Sequence, residues 1–393
     1  MINICLYFQA HQPFRIRELS FFEIGDKPEI FDFSLDKKIL ARVLKNSYMP
    51  AFDMFSRLIG KSRGKFNFGI SFTGLLLEQL AQYQPGVIKT IADLIATGSA
   101  EVLGETYYHS FASLYSSREF EDQVRLHKQA LEKYFGYEPQ VFRNTELAYR
   151  SDIPKTIDKL GFNAILIEGS DRTLKGKSGN YLYSSAASGG LKILTRNQEY
   201  SNIFTSPGVS AKRTRKFPGL KDLIKRISEE SGDLIIIGFD IECLGEHLKA
   251  SSGIFGYFEE FIMNALKSKQ IEFVTPSEAR SAFKPKGVIE VYSPVTWHIK
   301  SNDISAWNGN AMQIEAMKYI YGLEEKLKSA GQPQLLDSWR KLQSSDHMLY
   351  MDTMETEEGR PAQLYSPFKS PHQAYIYLMN ALASIELAAG ADA

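Results

Sequence analysis

Leu234-Ile235-Ile236-Ile237-Gly238-Phe239-Asp240-Ile241-Glu242 is an apolar run that ends on two acids. From Leu234 to Phe239 no side chain is polar, so the segment does not alternate between a wet and a dry face. A short continuous run of this kind reads as a strand buried on both faces, and such strands belong to parallel sheets covered by helices. Similar runs recur on either side of it. Ile2 to Phe8 leads to His11, and in Lys65 to Phe72 the residues Phe66, Phe68, Ile70 and Phe72 alternate with others. Glu101-Val102-Leu103 leads to Gly104-Glu105, Val141-Phe142 to Arg143, Ala164–Ile167 to Glu168 and Leu191–Leu194 to Arg196. Ile271 to Val274 is a candidate eighth strand.

Helical signals fill the gaps. Pro85 to Thr97 stops at Gly98, a residue type suited to a left-handed helix end. Ser116-Ser117-Arg118-Glu119 has the capping-box pattern, and it opens a helix with Phe120, Val124, Leu131 and Phe135 on one side, up to Gly136. The alternation predicts an α/β fold with a parallel sheet, and seven or eight such units favour a barrel over an open sheet. After about residue 300 the spacing becomes purely helical: Met312, Ala316, Ile320 and Leu323, then Leu335, Leu336, Trp339 and Leu342. Ser370-Pro371 is a cap and first-turn proline for a last helix carrying Ala374, Leu378, Leu382 and Ile385. The expected organisation is a barrel over residues 1–300 with a helical region over 301–393 packed on it. Ser178–Gly190 and Ser206–Pro218 read as loops.

Composition narrows the function classes. The 393 residues are 44 % hydrophobic and 23 % charged, an ordinary globular balance that excludes dominant disorder. Lys plus Arg equals Asp plus Glu at 46 each, which argues against nucleic-acid binding through bulk charge. No apolar run reaches 18 residues, and the first residues lack the basic start of a signal peptide. Cys5 and Cys243 form no CxxC pair, so neither a disulfide framework nor a cysteine zinc site is expected, and a cytoplasmic setting fits.

In a parallel barrel the strand ends share one face, where active sites of the fold are built. That face would gather His11, Glu105, His109, Arg143, Glu146, Glu168, Arg196, Asp240 and Glu242. His127, inside an amphipathic helix, reads instead as a satisfied structural histidine. Two carboxylates on one cleft can break a glycosidic bond if one is ionised and the other protonated. Arg143 would keep Glu146 ionised, and the apolar strand before Asp240 would raise its pKa. Aromatic residues make up 12 % of the chain, and Trp297 and Trp307 are candidate platforms for sugar rings.

At these residues the chain resembles glycoside hydrolase family 57, in its α-amylase-like branch. The likeness is carried by His11-Gln12-Pro13, by Gly104 to His109, by Phe142-Arg143-Asn144-Thr145-Glu146-Leu147, by Asp240-Ile241-Glu242 with Gly245-Glu246-His247, and by Trp297 through Asp303 to Trp307. The resemblance implies an incomplete seven-stranded (β/α) barrel with a C-terminal helical region. It implies a retaining mechanism on α-glucans or maltooligosaccharides, with Glu146 as nucleophile and Asp240 as acid/base. His11, Glu105, His109, Arg143, Glu242, His247, Trp297 and Asp303 would bind substrate or tune the pair, with no metal and no cofactor. One departure concerns specificity: the branch has an acidic residue two positions after the tryptophan, where this chain has Ile299.

Three alternatives stand beside hydrolysis. A 4-α-glucanotransferase would use the same site, with a sugar hydroxyl in place of water. A metal-dependent polysaccharide deacetylase would need histidines at ligand spacing, and no two of the seven lie three to five apart. A non-catalytic glucan-binding protein would have no need of both carboxylates.

Overall fold

The computed structural model describes residues 1–25, 29–205, 217–298, 301–354 and 366–391. Strand β1 (Ile2–Ala10) is the hub of the sheet. It pairs in parallel with β8 (Leu234–Asp240) along one side, and with β2 (Phe68–Phe72) along the other. From β2 the sheet continues to β3 (Ala100–Val102), and a parallel bridge from Gly104 to Phe142 leads on to β4 (Val141–Arg143). β4 pairs with β5 (Ala164–Glu168), and β5 with β7 (Lys192–Arg196). A single register pair, Arg196 with Ile236, returns the sheet to β8. The result is a (β/α)7-type ring with two thin seams, β3–β4 and β7–β8.

The remaining strands lie outside the ring. β6 (Tyr183–Ser185) runs antiparallel to β7 inside the Ser/Gly-rich stretch expected to be a loop, and Val288–Ile289 (β12) adds to it. Short pairing there needs main-chain groups rather than apolar side chains, so composition did not reveal it. β9 (Leu244–Gly245) and β10 (Leu248–Lys249) form a separate two-stranded pair, and β11 (Ile271–Phe273), the expected eighth strand, pairs only with the start of β1. The other expected loop, Ser206–Pro218, lies mostly outside the described residues.

Period-two geometry sorts each strand into two faces. On β1, Ile4, Leu6, Phe8 and Ala10 join the large core shared with the outer helices. Cys5 and Tyr7 point the other way and join Leu103, Val141, Leu166, Leu194 and Ile236 in the plug that fills the barrel. Gly238 is required by that plug: a Cβ there would sit 2.0 Å from the Tyr7 ring. Gly238→Ala should therefore destabilise the fold by about 1–3 kcal/mol, the usual cost of overpacking. A urea midpoint equal to that of the parent would show that Tyr7 moves aside freely.

The helix Ser117–Phe135 opens as expected on Ser116, whose hydroxyl accepts the Glu119 N–H at 3.1 Å, and closes on Gly136. The reciprocal half of the capping box is not made. Glu119 is fully buried and turned to Arg340 and Lys328 at 2.8 Å each, tying this helix to the C-terminal helices. Those helices bury Ala316, Ile320, Trp339, Leu342, Leu378, Leu382 and Ile385 with Phe14, Ile16, Phe31 and Phe111 from the barrel side. Among the described residues, no helix is long and apolar enough to cross a membrane.

Candidate active site

On six of the seven ring strands the inward position nearest the C-terminal end is polar: Gln9, Ser71, Arg143, Glu168, Arg196 and Asp240. Past the end of β3 the inward Leu103 belongs to the plug, and Glu105 follows it two residues on. Below them is the apolar plug, so these groups are poorly hydrated and their charges must be settled among themselves. Glu168 and Arg196 pair at 2.8 Å, and Arg196 Nε also donates to Gly238 O at 2.7 Å across the β7–β8 seam.

Glu146 follows β4 in a short turn, with the left-handed backbone angle φ 52. A glutamate pays strain in that region, and such outliers gather at functional sites. The turn delivers its carboxylate to three donors. Trp297 Nε1 donates to Oε2 at 2.6 Å, while His109 Nε2 at 3.3 Å and Ser345 Oγ at 3.2 Å face Oε1. Burial works against the charged form, but His109, Arg143 and the Trp297 N–H more than offset it, and the carboxyl lies below the ordinary range. Glu146 is an anion at neutral pH.

Asp240 is tuned in the opposite sense. No hydrogen bond to its carboxyl occurs among the described residues. Burial, opposed by Arg143 and reinforced by the Glu146 charge, lifts its pKa to about 7. Glu242 is raised as well, by burial and by the Asp240 charge, and Tyr48 donates its hydroxyl to Glu242. Two acids in one dry site cannot both ionise easily, so this pair retains a proton near neutrality.

His109 bridges two carboxylates. Its Nδ1 lies 3.5 Å from Glu105 and its Nε2 faces Glu146. Burial alone would lower its pKa, but hydrogen bonds to Glu105 and Glu146 raise it to about 9. The imidazolium is thus the counter-ion of the site. Glu105 is buried, and Gln9 Nε2 donates to it at 3.3 Å. His11 lies against His109 with ring centres 4.1 Å apart and planes tilted by 32°.

The other expected residues are spread more widely. Arg143 is fully buried with its guanidinium 4.6 Å from the Trp297 ring centre, and none of its three side-chain nitrogens has a hydrogen-bond partner among the described residues. Trp297 is thus a donor to Glu146 beneath a cation, a different task from a sugar platform. Trp307, 3 % exposed, packs on Phe111 in the helical core and offers no platform. Asp303 faces Arg172 at 3.1 Å and accepts the Ser305 N–H, so its contacts lie away from Glu146. The backbone N–H of His247 closes a turn on Glu242 O at 2.8 Å, and burial lowers its ring pKa to about 4. His127 spans Phe72 O and the Glu105 N–H, the structural duty expected of it. Ile299 lies outside the described residues.

Two contacts were not anticipated. Ser345 and Asp346 come from the C-terminal helical region and reach the strand-end face, where Asp346 Oδ2 lies 2.7 Å from His11 Nε2. Apolar spacing, the signal that marks the helices of this region, passes over Ser344-Ser345-Asp346. The available signal was a run of small and acidic side chains at a helix start. Among the described residues, no group of three or more His, Cys, Asp or Glu is arranged to hold a metal ion.

A parallel barrel that presents an ionised and a protonated carboxyl on its strand-end face is the arrangement needed to break a glycosidic bond; fold and site are those of a glycoside hydrolase. Glycosyl hydrolase family 57 matches residues 5–292. The chain belongs to that family. A putative α-amylase of Methanocaldococcus jannaschii is 31 % identical over 400 residues, covering 98 % of this chain and 84 % of that one. An α-amylase of Pyrococcus abyssi is 21 % identical over 302 residues, covering 73 % of this chain but 42 % of its own, so this chain spans under half of that relative. A branching enzyme of the family from Thermococcus kodakaraensis, solved in complex with glucose, superposes with a TM-score of 0.70 at 16 % identity, covering 89 % of this chain and 85 % of that one.

Proposed function

We propose that this enzyme cleaves α-1,4-linked glucans with retention, with Glu146 as nucleophile and Asp240 as acid/base. The observation that carries the reading is the opposite tuning of the two carboxyls: Glu146 held as an anion by three donors, Asp240 raised to about 7. Glu146 attacks the anomeric carbon as the Asp240 proton passes to the leaving glycosidic oxygen. A glycosyl ester on Glu146 and an ionised Asp240 result. Asp240 then takes a proton from water as that water attacks the same carbon, which frees the sugar and restores both groups. His109 compensates the Glu146 charge before attack and loses that partner as the ester forms.

The α-amylase names of the two relatives support a glucan substrate. The free buried thiols Cys5 and Cys243 support a reducing, cytoplasmic setting. Incubation with amylose, maltooligosaccharides and pullulan tests the reading. Shorter maltooligosaccharides released first as the α-anomer are expected. Release of the β-anomer would overturn retention, chains longer than the substrate would assign 4-α-glucan transfer, and intact substrates would remove the α-glucan assignment.

A further inference from the structure

The strand-end face is completed by a segment that belongs to no barrel unit. The helix Ser345–Leu349 begins against the site, anchored by a bridge between Ser344 and Ser110 and by the Ser345 N–H donating to His109 O at 2.8 Å. His109 has the left-handed angle φ 50, so that hydrogen bond fastens a residue whose backbone does not favour its own conformation. The hydroxyl of the same serine faces Glu146 Oε1. Ser345 therefore touches both members of the His109–Glu146 pair.

Asp346, the next residue, acts one step further out. Its Oδ2 accepts from His11 Nε2 at 2.7 Å and from Ser344 Oγ at 2.8 Å. The other His11 nitrogen, Nδ1, lies 2.9 Å from Thr73 Oγ1, and that oxygen already accepts the Leu76 N–H. The Thr73 hydroxyl can then donate its hydrogen to His11 Nδ1, and burial disfavours a charged His11 ring, which together favour a neutral imidazole with its proton on Nε2, facing Asp346. In that arrangement His11 is neutral in one tautomer, and the charge belongs to His109, whose ring lies against it. Two adjacent imidazolium rings would repel, so fixing the neutral form of one secures the charged form of the other.

We propose that Ser345 and Asp346 are positioning residues for the nucleophile: Ser345 orients Glu146 and His109 directly, and Asp346 fixes the tautomer and ring plane of His11, against which His109 is held. The C-terminal helical region is then part of the reaction centre. This rests on the retaining α-glucan reading, so Glu146→Ala is run in the same assays to test that reading separately.

The experiment compares Asp346→Ala, Asp346→Asn and Ser345→Ala on maltoheptaose and on an activated α-maltooligoside. Asp346→Ala should lower kcat by about 100-fold, the scale of a reacting group displaced by an ångström, with KM changed much less. Asparagine can still accept from His11 Nε2, so Asp346→Asn should recover about tenfold of that loss, the worth of one hydrogen bond. Ser345→Ala should cost about tenfold in kcat. In nitrogen-15 spectra of the imidazoles, His11 should report one neutral Nε2–H tautomer in the parent and lose it in Asp346→Ala. Parent-level kcat in Asp346→Ala, a loss confined to KM, or an unchanged His11 spectrum would each overturn the proposal. Should Glu146→Ala retain activity, the retaining reading fails. An inert, azide-rescued Glu146→Ala beside a fully active Asp346→Ala would sink the positioning role alone.

Discussion

Glu146→Ala should lower turnover of an activated α-glucoside by on the order of 10⁴-fold or more, because under the proposed mechanism the group that forms the covalent intermediate is gone. That corresponds to roughly 5.5 kcal/mol of transition-state stabilisation. The variant should still fold, since alanine meets the same left-handed backbone that glutamate already occupies at this position. It vacates space between Trp297 Nε1, His109 and Ser345, all oriented toward a negative charge. Azide fits that description and attacks from the face the carboxylate used. Rescue by azide with formation of the β-glycosyl azide is the expected outcome, and it separates a missing nucleophile from a damaged fold. Turnover near that of the parent would take the role away from Glu146.

Asp240→Asn should produce the second large effect, a loss of about 10²–10⁴-fold on unactivated glucans. Substrates with good leaving groups need little protonation and should lose far less in the glycosylation step. The pH profile provides an independent check. In the proposed role Asp240 acts as an acid only while protonated, and burial lifts its pKa to about 7. The rate of the parent should therefore hold below that pH and fall as pH rises through it. Glu146 must be ionised, so its lowered pKa keeps the acid limb well below neutrality. In Asp240→Asn the alkaline limb should disappear. A parent rate that climbs through pH 7 and stays high would contradict the assignment of acid and base.

The barrel was legible because its strands are buried on both faces and therefore read as apolar runs, each broken by a polar residue at the same end. Arg143, Glu168, Arg196 and Asp240 could be placed on one face from that pattern alone. What could not be read is whatever depends on contacts across the fold. Sequence alone could not show that the Trp297 N–H reaches Glu146 with Arg143 over its ring. Nor could it show that Arg172 faces Asp303. Glu119 fits a capping box, but its carboxylate is claimed by Arg340 and Lys328, more than 200 residues away in sequence. For Asp346 the local sequence offers only small and acidic side chains at a helix start, and its partner His11 lies 335 positions earlier.

The thin seams of the ring have a mechanical consequence. They divide it into two arcs: β8, β1, β2 and β3 on one side, and β4, β5 and β7 on the other. Asp240 rides on the first arc and Glu146 on the second. The spacing of roughly 5–5.5 Å that the proposed retaining mechanism would require is therefore a distance between two plates, gauged across joints where the ladder is one residue deep. The His109–Glu146 contact clamps one joint and the Arg196–Gly238 contact the other. Slackening either clamp lets the plates ride apart, which would degrade the calibration of the pair while leaving every catalytic side chain in place.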